Sequence, residues 1–166
     1  MDDTAENLQT DIGPKGIGGW LIPHVIGLTI GPLLQAWYGI RLIFIFTGAN
    51  WQHLTNPESP AYNFFWKPAL IYEFVGHIFF LCYLIILAIL FYSHSRLFPK
   101  LVIVLFVLYF FFYVVDLLLC QNIPFIVQHP LLMQKEEMAV FRSVLVCLIW
   151  IPYFCISRRV KNTFVE

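Results

Sequence analysis

The sequence predicts an all-α polytopic membrane protein: a four-transmembrane-helix bundle with an interfacial N-terminal segment. Three observations carry that expectation. The chain is 60% hydrophobic and only 12% charged, where a soluble domain carries roughly 25% charged residues. Its mean hydropathy is +0.76 over 166 residues. Its apolar residues gather into four stretches, 17–46, 69–92, 101–119 and 138–156, and a helical crossing takes about 20 residues. A soluble fold of this size leaves too much of its chain exposed to hide so much apolar surface. Ten acidic and ten basic residues cancel, so the charge balance favours no nucleic-acid partner.

Residues 1–15 are polar, rich in acids (Asp2, Asp3, Glu6, Asp11) and without periodic apolar pattern, and they read as a disordered tail. The transmembrane domain covers 16–157, and 158–166 form a basic cytoplasmic tail. The first apolar stretch is too long for one straight crossing. Its start holds three glycines and Pro23, which weaken a helix unless the proline stands in the first turn. Gly16–Ile22 is therefore expected along the interface, anchored by Trp20, because Trp favours that depth. The first helix then runs from about Pro23 to Phe46. Its length, acidic flank and lack of a small-residue cleavage site argue against a cleaved signal peptide.

The second, third and fourth helices are expected at about 69–92, 101–119 and 138–156. The short turn 93–100 makes the middle two an antiparallel hairpin. Lys15, Arg96, Lys100, Arg158, Arg159 and Lys161 fall on the side of the termini, against Lys67 and Lys135 opposite. The positive-inside bias then puts both termini in the cytoplasm. The loops 47–68 and 121–137 face outward and are rich in aromatic or apolar residues that favour the interface. Cys82, Cys120, Cys147 and Cys155 follow no metal spacing and no paired framework, and read as small hydrophobes rather than disulfide partners.

Ionisable residues inside a bilayer are costly and therefore informative. Arg41, Glu73, His77, Asp116 and Arg142 qualify. With the helix ends above, Arg41, Glu73 and Arg142 lie about 6–7 Å below the outer boundary, and Asp116 about 22 Å up from the inner one. One charge from each helix then falls at a common level, two positive and two negative. The plainer reading is an ion-pair network that holds the bundle in register. The functional reading is a pocket open to the outer leaflet, where Arg41 and Arg142 hold an anionic headgroup through their planar forks. A proton relay through Glu73, His77 and Asp116 is a third reading. The same three could make a metal site, but two arginines oppose a cation and no fourth ligand converges. No metal and no cofactor is therefore expected.

Gly27, Gly31, Gln35 and Gly39 recur every four residues in the first helix, a small and polar stripe suited to close helix packing. Packing within the bundle is the plainer expectation and a homo-oligomer the other. No phosphate loop, nucleophile elbow or zinc motif is present.

Both ends carry a recognisable pattern: Gly16-Ile17-Gly18-Gly19-Trp20-Leu21 with Gly27-Leu28 and Pro32-Leu33 at the start, Trp150-Ile151-Pro152-Tyr153 and Ser157-Arg158-Arg159-Val160-Lys161-Asn162-Thr163-Phe164 at the end. Together they resemble the YdgK-like family of bacterial inner-membrane proteins, a domain of unknown function. The resemblance implies a four-helix inner-membrane protein and brings no activity with it. Arg158, Arg159 and Lys161 suit anionic lipid headgroups at the cytoplasmic face, although a topology signal explains them equally. Because both ends lie on that face, the Gly-Gly-Trp segment is expected to pack against the tail. The leading functional expectation is a non-enzymatic accessory or scaffold protein with a membrane-protein partner. A small transporter or lipid- and anion-binding protein comes next, and an intramembrane enzyme last.

Overall fold

The computed structural model describes residue 16 and residues 18–164. The expected polar tail 1–15, with Lys15, lies outside the described residues, as does Ile17. A 3-10 turn over Gly19–Leu21 leads into α1, Ile22–Thr47. Then come α2, Ala49–Thr55; α3, Trp66–Tyr92; α4, Phe98–Cys120; α5, Pro124–Val127; α6, Pro130–Ile156; and α7, Arg158–Thr163. Four stretches, Gly19–Thr47, α3, α4 and α6, are long and apolar enough to cross a membrane. No strand occurs among the described residues.

Proline marks where these helices begin. Pro23, Pro99 and Pro130 all stand in the first turn, where the missing N–H would have no partner in any case and the fixed φ suits the helix. Pro130 therefore corrects one boundary. The fourth crossing helix starts eight residues before position 138, and Lys135, Glu136 and Glu137 belong to it rather than to a loop. Pro32 and Pro152 lie inside α1 and α6, leaving the carbonyls of Leu28 and Leu148 without their helical donor.

The helices form a row. α1 packs on α3, α3 on α4, and α4 on α6, while α1 and α6 are not packed along their length. Close approach has a local cause in two places. Gly76 lies directly under the ring of Phe112, where a Cβ would overlap it, so α3 and α4 meet nearly backbone to ring. A Cβ on Gly31 would stand 3.2 Å from Leu84, which brings α1 onto α3.

Most of the largest fully buried side chains lie at the end where the Gly19–Leu21 turn and α7 meet. Phe91 and Phe98 are fully buried, with Leu21, Leu87 and Val160 beside them. Phe164 of the tail closes on the α3–α4 hairpin, 5.6 Å from Phe91 and 4.7 Å from Phe98 between ring centres. The hairpin turn itself uses His94 in the left-handed region, φ 54°. At the opposite end a smaller core of Ala69, Cys120, Ile123 and Ile126 lies beneath the loops.

Candidate functional site

Gln35, part of the glycine stripe by sequence, is a polar bridge in the structure. Its amide nitrogen donates to the Tyr109 hydroxyl at 2.7 Å, and its carbonyl oxygen accepts from His77 Nδ1 at 2.5 Å. With the amide in this orientation its carbonyl can only accept, and His77 donates from Nδ1. Tyr38 stacks on the His77 ring at 5.4 Å, and Tyr109 stacks on Phe80 at 4.0 Å. Three helices thus share one hydrogen-bonded chain inside the apolar bundle, where an unmade hydrogen bond is expensive.

Beside this chain runs a lateral groove between α1 and α6, floored by α4 and part of α3. It is closed at the terminal end, where His24 meets Trp150 edge to face at 4.2 Å and Phe154 at 4.8 Å, and Trp20 meets Trp150 at 5.7 Å. One cavity in it, about 350 Å³, is lined by Tyr109, Tyr113, Arg142 and Ser143. A second, about 330 Å³, extends past Gly27, Leu28 and Trp150 and is mostly apolar, with His24 at its edge. The two share Phe106, Tyr109 and Val146. Arg142 is exposed on the groove wall, and the ion pair on its helix joins Lys135 to Glu136 instead, at 3.5 Å.

The expectation that Arg41, Glu73, Asp116 and Arg142 share one level needs correction, because the longer α6 moves Arg142. Counted from the loop-side helix ends, Asp116, Arg41, Glu73 and Glu136 lie about 6–11 Å in. Arg142, Gln35, His77 and Tyr109 lie about 16–18 Å in. Glu136 replaces Arg142 in the level nearer the loops. There the Asp116 carboxyl is within hydrogen-bonding reach of Glu136, with Glu73 and Lys135 nearby. Asp116 is 4% exposed. No described ion pair ties either arginine to these acids, and the carboxyl groups at this level come from α3, α4 and α6 alone. Arg41 is exposed on α1.

The glycine stripe divides in the same way. Gly31 packs against Leu84, but a Cβ at Gly27 or Gly39 would meet no atom within 4 Å. Gly27 faces the groove, and close packing is carried instead by Gly76, which the stripe pattern did not contain. Glu136 was hidden because it falls in a segment that reads as loop, although Pro130 signalled the earlier start.

The two ends of the chain meet. The Gly16 N–H donates to Thr163 Oγ1 at 3.1 Å, and the Thr163 hydroxyl donates to the Gly16 carbonyl at 3.4 Å. The Arg159 guanidinium lies over Gly18 and Gly19. Gly16 and Gly19 adopt φ +86° and +56°, a region that L side chains avoid. Ser157 caps α7 by accepting from the Val160 N–H. Arg158 and Lys161 point no charge into this joint: both lie on its exposed outer side, next to the membrane-crossing end of α6.

No curated protein and no solved structure matches this chain. A family model described as a protein of unknown function (DUF2569) matches residues 14–165, and the chain belongs to that family.

Proposed function

We propose that this is a non-enzymatic accessory protein of the bacterial inner membrane, with both termini cytoplasmic, that holds an anionic amphiphile in the α1–α6 groove. The inner-membrane assignment rests on the resemblance of the two chain ends, and the orientation on the bias of Lys and Arg toward the terminal side. One observation carries the ligand reading. Arg142 stands within a membrane-crossing helix, lines a cavity with Tyr109, Tyr113 and Ser143, and has no acidic partner among the described residues. A charge at the centre of a crossing helix costs about 2.5–3.5 kcal/mol on insertion scales. An anion from outside the chain offsets that cost, and the guanidinium fork suits a phosphate or carboxylate. The apolar cavity beyond Tyr109 suits the alkyl part of the same molecule.

Native mass spectrometry of the detergent-extracted protein tests this. The wild type is expected to retain an anionic lipid that Arg142→Gln loses, with Arg142→Lys intermediate and all three equally folded. A wild type without adduct, or an adduct unchanged in Arg142→Gln, overturns the ligand reading and leaves the scaffold role alone.

A further inference from the structure

Asp116 is the most deeply buried charged side chain described, 4% exposed, and its Oδ1 has no hydrogen-bond partner. An orphaned carboxyl oxygen inside an apolar bundle is costly, so its retention asks for a ligand. The groups that face it are known from every element packed there. Tyr72 and Glu73 on α3 and Glu136 and Lys135 on α6 interact with it electrostatically, and Tyr113 and Cys120 stand one turn away on α4 itself. The Tyr72 hydroxyl is committed to the Phe112 carbonyl at 3.2 Å and cannot serve Asp116. Glu136 brings only another carboxyl. Two ionised carboxylates have acceptors alone, so a hydrogen bond between these side chains exists only with a proton between them.

A metal ion is the alternative occupant of a carboxyl cluster. Among the described residues, however, no three His, Cys, Asp or Glu side chains are spaced to hold one. Of the two carboxyl groups, Glu136 is the more exposed. Glu136 pairs with Lys135 at 3.5 Å, and the Lys135 side chain is 73% exposed on the loop side. Toward the interior, His77 lies one turn below Glu73 on the same helix face, and Gln35 links it to Tyr109.

We infer that Asp116 and Glu136 form a proton-binding site reached from the loop side past Lys135, distinct from the groove that holds Arg142. The proton is taken up by the pair from water and returned to water, with no bond to carbon made or broken.

Infrared difference spectroscopy of the full chain in nanodiscs, with bulk pH stepped, tests the inference. The wild type is expected to show a protonated-carboxyl band that shifts in deuterated water. Asp116→Asn should abolish it, and Glu136→Gln, at a half-buried position that tolerates the amide, should shift it. Arg142→Gln should leave it in place, which separates this site from the anion groove. A band that persists in Asp116→Asn overturns the inference. If Asp116→Asn fails to fold, an unshifted band in Glu136→Gln overturns it equally. A band that responds to sodium at fixed pH assigns the pair to an alkali cation and also overturns it.

Discussion

The guanidinium of Arg159 lies over the backbone of Gly18: a Cβ at Gly18 would stand 2.5 Å from its Nη1. Through this contact the two ends of the chain, 141 positions apart, form one layer across the terminal side of the bundle. The layer is sealed by Leu21, Val160 and Phe164, each no more than 5% exposed. Its glycines do different work, and substitution separates them.

At Gly18 the obstacle is the tip of a flexible side chain, which can swing away. Gly18→Ala should therefore cost less than about 1 kcal/mol, within the range of ordinary substitutions. Gly19, at φ +56°, would meet Arg159 only at ordinary contact distance, so its penalty is conformational. Gly19→Ala should cost about 1–2 kcal/mol, and Gly19→Asn less, because Asn tolerates the left-handed region. Thermal melts in one detergent order the three variants, and equal losses for Gly18→Ala and Gly19→Ala would contradict this account.

The tail is a structural plug. Phe164 is 5% exposed and packs on Phe91 and Phe98. Phe164→Ala should cost about 3–5 kcal/mol, the usual range for a buried aromatic, and should speed proteolysis at both ends together. Phe164→Leu should recover much of the loss. A melt unchanged by Phe164→Ala would show that the tail does not dock.

Where α3 crosses α4, overpacking is the expected failure. Gly76→Ala drives a methyl into the Phe112 ring and should cost about 1–3 kcal/mol. Adding Phe112→Leu should return part of it, because the two substitutions share one contact. Strict additivity in the double mutant, read from melts, would argue against direct contact.

Gln35 supplies a donor to Tyr109 and an acceptor to His77. Gln35→Leu strands both and should cost about 1–3 kcal/mol for the unsatisfied groups. The Gln35→Leu/His77→Phe double mutant should be more stable than Gln35→Leu alone. Chemical-denaturant titration of the detergent-solubilised variants gives the order.

Orientation is open to direct labelling in a cysteine-free background. Glu58 and Ser93 are both exposed, on opposite sides of α3. With the termini cytoplasmic, Glu58→Cys should react with an impermeant maleimide on intact cells, and Ser93→Cys only after lysis. The reverse pattern would invert the topology.

The four crossing helices were legible in the sequence because their signal is local. Apolar runs of spanning length and prolines that start helices depend on no distant residue, and lipid rewards every apolar side chain wherever it points. For the same reason the sequence was silent about which face meets which. With apolar residues all round α3 and α4, no periodicity distinguishes a face turned to lipid from one turned to a neighbour. Gly76 and Phe112, or Gln35 and Tyr109, are paired by helix crossing alone. The ionisable residues stood out because each is costly in lipid, yet their grouping depended on helix ends. A start at Pro130 rather than at 138 moves Arg142 about two turns deeper and puts Glu136 in its place. The sequence by itself determined a four-helix membrane protein and its costly residues. The tertiary structure decided their partners, because in a bilayer polar groups have only one another to satisfy them and the packing of the helices selects which meet.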